Sequence, residues 1–264
     1  MATLNAANHL PISLGSIAGQ NSRDFEIVLV DGGSADHTRQ QASMILDAAN
    51  VAYRIIDLPG SGIYEAINCG ILLAEGEWLY VMGADDRLIT PEVFASIAPS
   101  LLTAEPGTLV VHGDVWIEDP GYRYGDSWDL PRFLDRNISH QSAFYRRIPI
   151  KKLGVAYDKK YTLYADWDYN IRLFSLGGFS YVPLLVASYS CSGASSRRVD
   201  EKFLADKERN ARRYFGLRSL WLMPPHRFSM AGGSSPGIGF RLQLLLNRSL
   251  WALKRLRPAS TDHW

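Results

Sequence analysis

The chain has 264 residues, 47% of them apolar, with a formal net charge of +1, a globular composition able to bury one large core. Its two cysteines, Cys69 and Cys191, exclude a disulfide framework and fall in no metal-ligand or Cys-x-x-Cys spacing, which favours a reducing setting. The start MATLNAANHLP lacks the basic and apolar regions of a secretory signal, and no segment offers the roughly 20 apolar residues of a membrane span, so a cytoplasmic location is expected.

Phe25 to Val30 is a β-branched apolar run closed by Asp31-Gly32-Gly33, the pattern of a buried parallel strand. A helix follows, capped by Ser34 or Asp36, with Met44, Ile45 and Ala48 as its apolar stripe. YRIIDL reads as a strand, GIYEAINCGILLAEG as a helix with Ile63, Ala66, Ile67 and Leu72 near helical spacing, and EWLYVMG as the next strand. This β-α-β-α-β order predicts an α/β fold, a mostly parallel sheet with helices on both faces. Ligands of such sheets sit beyond the carboxyl ends of the strands, where Asp31, Asp85 and Asp86 fall. Further on, TLVVHGDVWIED predicts a strand running into a hairpin or loop. YGDSWDLPRFLDRNISHQSAFYRR has no clean period. ADWDYNIRLFSLGG predicts a helix on Trp167, Ile171 and Phe174 that ends at Gly177-Gly178, and FSYVPLLVASYS a late strand.

After Ser196 the texture changes. Residues 1–196 carry 14 basic and 22 acidic side chains, whereas 197–264 carry 14 and 5. An acidic body with a basic tail points to an anionic partner of the tail, the alternative being a solvated surface. The tail reads as a charged helix over 197–215, a Pro/Gly/Ser linker, and an amphipathic helix at about 239–257. In that last helix Arg241, Arg248 and Arg255 share one face opposite a leucine-rich one, the pattern of a helix lying on a membrane or packed on protein.

Adjacent carboxylates such as Asp85 and Asp86 repel. They become tolerable where Mg²⁺ or Mn²⁺ compensates them, since these cations take oxygen ligands and bridge carboxylates to substrate phosphates. The alternative is a pair that caps a following helix.

VDGGSADHT, GIYEAINCGILLAEGEWLYVMGADD and LYADWDYNIRLFSLGGFSYV, in this order and spacing, resemble glycosyltransferase family two. The nearest likeness is to bacterial members that build exopolysaccharide and lipopolysaccharide, over about residues 2–196. The resemblance implies a GT-A fold with a helical C-terminal extension. It implies an inverting, metal-dependent transfer of a hexosyl unit from a nucleotide-diphosphate sugar to a hydroxyl of a saccharide or lipid-linked acceptor. Thr3, Asn5, Asp31, Gly33, Ser34, Asn68 and Asp85 match positions that hold the nucleotide-sugar. Asp86 matches the metal ligand, for Mg²⁺ or Mn²⁺, and Asp166 the general base. His140 and Gln141 match the acceptor side. The expected partners are the donor, the acceptor and a membrane surface met by the tail helix at the inner face of the plasma membrane, with no nucleic acid.

For Asp31 a turn role, for Asp166 helix capping, for Tyr64 core packing and for His140 a structural role stand as alternatives. Asp168, two residues beyond Asp166, points elsewhere on a helix and reads as structural. The sequence departs from the family at Gly60, where many members carry an aspartate. It also begins two residues before Thr3, where relatives have several β-branched residues. A central strand cut short leaves buried backbone groups unpaired, so a start set too late is expected. The rival readings are a sugar-phosphate nucleotidyltransferase, which would show a glycine-rich basic loop after the first strand, and a decayed, non-catalytic sugar-binding protein.

Overall fold

The computed structural model of the chain describes residues 1–189 and 199–216. The linker and the amphipathic helix expected at about 239–257 lie outside the described residues. The chain divides into Met1–Pro224 and Pro225–Trp264, and every described residue belongs to the former.

The amino-terminal half runs β1 (Ala2–Thr3), α1 (Leu10–Ala18), β2 (Ile27–Asp31), α2 (Thr38–Ala48), β3 (Tyr53–Asp57), α3 (Ile63–Leu73), β4 (Trp78–Tyr80), β5 (Arg87–Leu88) and α4 (Val93–Leu102). The rest runs β6 (Thr108–Ile117), β7 (Tyr122–Tyr124), α5 (Leu130–Asp135), a 3₁₀ turn (His140–Ser142), β8 (Ala143–Arg146), α6 (Arg147–Lys152), α7 (Ala165–Leu176), β9 (Gly178–Tyr189) and α8 (Glu201–Phe215). The expected α/β class holds. β1, β2 and β3 form a parallel sheet in that order, with Thr3 beside Asp31 and Asp31 beside Asp57. All five residues of β2 are buried, which is why its sequence is a continuous apolar run and not an alternating one.

The second sheet differs from the mostly parallel arrangement expected. Its order is β4-β8-β6-β9-β5 with β7 on β6, and only β6 and β9 run parallel. The aperiodic stretch before His140 carries the chain through β7, α5 and the 3₁₀ turn and returns it as β8, antiparallel to both β4 and β6 and between them. One core cluster gathers Leu10, Leu14, Leu29, Leu46, Ile97, Val111 and Phe144, from α1, α2 and α4 against the strands. A second gathers Ile71, Val110, Phe133, Tyr145, Tyr169 and Leu173, from α3, α5 and α7.

The expected helices α2, α3, α7 and α8 occur, α1, α4, α5 and α6 stand outside the expectation, and the buried faces of α2 and α3 differ from those expected. On α2, Thr38, Ala42 and Leu46 are buried while Met44 is exposed. On α3, Ala66 and Ile71 are buried while Ile63 and Leu72 are exposed. In the second case it is Ala66 that packs on Val28 and Val30 of β2, and a Cβ on neighbouring Gly70 would stand in ordinary contact, 3.6 Å, with Val30 Cγ2. At the end of α7 Gly177 is extended, not left-handed. It is glycine for space, since a Cβ there would stand 2.4 Å from Leu109 Cγ.

His112 lies mid-strand in β6 between Ala143 and Tyr181 and is 1% exposed. Burial lowers its pKa from 6.5 to about 4, because a charged imidazole is poorly solvated there. The unfolded chain therefore takes up a proton between pH 6.5 and 4 that the folded chain refuses. Stability contributed by neutral His112 is fully present above pH 6.5 and lost as the pH falls toward 4. The loss amounts to about 3 kcal/mol at 1.36 kcal/mol per pKa unit. A pH series of melting temperatures is expected to show this decline and His112→Phe to flatten it; identical slopes would sink the assignment.

Candidate active site

Asp31 ends β2 and is wholly buried. Oδ1 accepts from the backbone N–H groups of Gly33 (3.1 Å) and Ser34 (2.7 Å), and Oδ2 from Ser34 Oγ (2.6 Å) and Thr3 Oγ1 (3.1 Å). Burial acts to raise its pKa, and these four donors outweigh it and hold the carboxyl below the usual range. Direct contact of Asp31 with a ligand was expected; in the structure its oxygens are spent on the turn. That turn needs glycine at position 33, where φ is +93° and a Cβ would lie 3.1 Å from Pro59 Cα.

The loop after β1 is laced to the same turn. Asn5, at φ 48°, donates its N–H to Ser34 Oγ (2.8 Å) and accepts at Oδ1 from Ala35 N–H (2.9 Å). Ala7 N–H donates to Asp36 Oδ2 (3.1 Å), and Asp36 Oδ1 accepts from Thr38 N–H (3.0 Å) at the start of α2. Thr3, Asn5, Asp31, Gly33 and Ser34 thus stand together at the carboxyl ends of β1 and β2, as the strand order requires. Helix α1 joins this corner to the next one, since Ser13 Oγ donates to Gly83 O (3.1 Å).

The second cluster is built on the turn after β4. No helix follows Asp85 and Asp86 directly, because β5 intervenes, so the capping alternative does not apply. Their carboxylates converge over Gly83, where a Cβ would stand 2.9 Å from Asp86 Oδ2 and 3.0 Å from Asp85 Oδ1. Asp86 is 4% exposed; its Oδ2 accepts from Gly83 N–H (2.8 Å) and its Oδ1 from Gln141 Nε2 (3.1 Å). Burial nevertheless raises its pKa above the usual carboxylate value, despite nearby His140. Across the site, Asp166 stands in the first turn of α7 behind the capping position, which is Tyr164, so it is not the helix cap. Its Oδ2 accepts from Asn137 Nδ2 (2.7 Å).

His140 connects the two acids. Nε2 lies 3.9 Å from Asp86 Oδ2 and Nδ1 lies 3.6 Å from Asp166 Oδ2. Burial alone would lower its pKa, and the Asp166 and Asp86 carboxylates turn the shift upward. Residues from three separated stretches of sequence, Asp85-Asp86, His140-Gln141 and Asp166, are thereby brought together.

Asn68 is not brought there. It grips the backbone of Tyr157, donating from Nδ2 to Tyr157 O and accepting at Oδ1 from Tyr157 N–H, both at 2.8 Å. Tyr64 is core: it stacks on Tyr157 at 5.7 Å, and Tyr157 on Tyr169 at 4.3 Å. Asp168 faces away from the site, paired with Arg172 Nε at 2.8 Å. The sequence reading missed Asn137, which binds Asp166 through Nδ2, accepts from Asn170 Nδ2 (2.9 Å), and receives Tyr124 OH on its carbonyl (2.6 Å). Its only local signal is a polar residue in an aperiodic stretch.

Residues 1–154, more than half of the chain, match the family described as Glycosyl transferase family 2. The chain belongs to this family. A PGL/p-HBAD biosynthesis glycosyltransferase of Mycobacterium bovis (strain BCG / Pasteur 1173P2) is 43% identical over 208 residues, 76% of this chain and 80% of the relative. Among solved structures, S. aureus TarS 1-349 in complex with UDP-GlcNAc superposes with a TM-score of 0.69 at 16% identity, covering 84% of this chain and 68% of that one. The mannosyltransferase PcManGT from Pyrobaculum calidifontis, in complex with GDP-Man and Mn²⁺, gives 0.58 at 16% identity over 98% and 74%. In two further TarS 1-349 structures this chain covers 58% of the solved chain. At such identities the likeness shows the fold, which is of GT-A type, and the family membership makes the protein a glycosyltransferase.

The acids of this transferase suit a divalent cation. Among the described residues no group of three His, Cys, Asp or Glu side chains is placed to hold a metal ion. Two carboxylates converging over Gly83, one of them buried with its charge disfavoured, match the mode in which Mg²⁺ or Mn²⁺ takes one or two carboxylates and completes its shell with phosphate oxygens and water. Among the described residues no helix is long and apolar enough to cross a membrane.

Proposed function

We propose that the protein is an inverting, divalent-metal-dependent transferase that moves a sugar from a nucleotide-diphosphate sugar to a hydroxyl of a saccharide or lipid-linked saccharide. The observation that carries the reading is the meeting of Asp86 and Asp166 on opposite sides of one imidazole, at 3.9 and 3.6 Å. An acid suited to a cation and an acid suited to a proton stand at one place. The nucleotide-sugars bound by TarS and PcManGT and the biosynthetic role named for the M. bovis relative support the substrate class.

In this reading Asp166 takes the proton of the acceptor hydroxyl. The acceptor oxygen bonds to the anomeric carbon from the face opposite the diphosphate, and the C–O bond to the diphosphate breaks with its electron pair leaving on the phosphate oxygen. The carbon inverts, and no covalent enzyme intermediate forms. Asp86, with Asp85 beside it, would hold Mg²⁺ or Mn²⁺, which supplies charge neutralisation to the departing diphosphate. Asn5, Gly33 and Ser34 line the nucleotide side, with Thr3 and Asp31 as the buried frame of that wall. Asn68 contributes by holding the Tyr157 loop, and His140 and Gln141 face the acceptor. The amphipathic helix expected at about 239–257 would bring the transferase to an anionic membrane face, each basic side chain contributing on the order of 1 kcal/mol near the surface.

The test is a thermal-shift panel of UDP, GDP and their sugars, with and without Mn²⁺, on the full chain. One nucleotide is expected to raise the melting temperature in a metal-dependent way, equivalent to about 2.7 kcal/mol at a hundredfold excess over Kd. Turnover of that donor is expected to release nucleoside diphosphate. Indifference to every nucleotide, or release of pyrophosphate, would overturn the reading, the second in favour of a nucleotidyltransferase.

A further inference from the structure

The family match ends at residue 154, before α7 and α8, yet the described contacts of α8 converge on the turn that carries Asp166. We propose that Asp200 is a positioning residue for the catalytic base, and that α8 completes the active site by holding the first turn of α7 in place. The proposal rests on Asp166 being the base.

Asp200 is 4% exposed. Its Oδ2 accepts from the backbone N–H groups of Thr162 (2.7 Å), Leu163 (2.9 Å) and Tyr164 (3.4 Å), the last residues before α7. Its Oδ1 accepts from Phe203 N–H (3.0 Å) and caps α8. A single carboxylate therefore ties the entry of one helix to the start of another, with charge-assisted bonds stronger than neutral ones. Burial acts to raise its pKa, and these backbone donors outweigh it and hold Asp200 below the usual carboxylate range. The same segment is gripped from its other side, where Tyr64 OH donates to Leu163 O at 2.6 Å.

Side chains of α8 reinforce the grip. Phe203 lies 5.3, 5.6 and 5.0 Å from the rings of Tyr161, Tyr164 and Trp167. Lys207 Nζ sits 4.1 Å over the Trp167 ring, and Asn210 Nδ2 donates to Tyr161 OH at 2.8 Å. Trp167 follows Asp166 directly, so a shift of this frame moves the base. A misplacement of about 1 Å costs on the order of a hundredfold in rate.

The deciding variant is Asp200→Ser in the full chain. Serine still caps α8 but cannot hold three further N–H groups. It is expected to lower kcat roughly ten- to a hundredfold while leaving the donor KM and the helix content by circular dichroism unchanged, and to speed amide exchange at Thr162 and Leu163. Tyr64→Phe, which releases the other side of Leu163, is expected to lower kcat in the same way by a smaller factor, and it serves if the serine variant does not fold. Asp166→Asn is the reference. If it keeps turnover, the base assignment itself falls. If it loses turnover while a folded Asp200→Ser works at the wild-type rate, or while Tyr64→Phe is unchanged with Asp200→Ser unfolded, the positioning role is overturned.

Discussion

Asp166→Asn is expected to reduce transfer by about a hundred- to ten-thousandfold, the range that a positioned general base contributes, with the donor KM nearly unchanged. The amide fills the same space, so the fold around it should persist. Asn137 Nδ2, which donates to Oδ2 at 2.7 Å, finds an oxygen again if the new amide turns its carbonyl toward it. What the variant lacks is an oxygen basic enough to take a proton. Steady-state kinetics together with the nucleotide-dependent thermal shift check this directly. A parallel loss of donor binding would mean that Asp166 holds the donor, and undiminished kcat would mean that another group takes the proton. His140 is the neighbour to watch, because its ring faces Asp166 at 3.6 Å and Asp86 at 3.9 Å.

The parts of this arrangement that the sequence makes legible are those encoded over a few consecutive residues. The run ending in Asp31-Gly32-Gly33 places a buried strand and a turn because its apolar continuity and its glycines are local. Faces of helices are less legible, because burial depends on what arrives from elsewhere. Ile63 and Leu72 satisfy helical spacing but face outward, while Ala66 and Gly70 face β2. Hydrogen-bond partners are less legible still. Asp31 and Asn68 are polar residues at suggestive positions; the structure holds Asp31 with the N–H groups of Gly33 and Ser34 and the hydroxyls of Ser34 and Thr3, and Asn68 with the backbone of Tyr157. Asn137 leaves no pattern, since Asp166 lies 29 positions away, and Asp200 shows only its local cap on Phe203 while its other partners lie 36 to 38 positions away. His140 fell between these cases: its likeness to an acceptor-side segment was readable, its place between two acids was not.

Asp86→Asn is expected to separate stability from function. The wild-type carboxylate is charged in a place where burial disfavours the charge, and such a site is tolerated at a cost to the unligated fold. By linkage, a carboxyl with a raised folded pKa weakens the fold above that pKa, and the penalty is relieved as pH falls through it. The asparagine variant carries no such charge. It should therefore melt at least as high as the wild type at pH 7 without ligand, and the difference should narrow on acidification. Gly83 N–H retains an acceptor in the amide oxygen, so the turn is preserved even though the bond from Gln141 Nε2 must rearrange. With Mn²⁺ and the preferred nucleotide the order reverses. The wild type gains stability by mass action and the variant does not, and transfer falls about a hundred- to a thousandfold, the loss typical of removing one preorganised charge-stabilising group. A variant that still responds to Mn²⁺ places the cation elsewhere. A variant that melts well below the wild type without ligand shows that the hydrogen bonds of Asp86, and not compensation by a cation, are what make two adjacent acids acceptable at the end of β4.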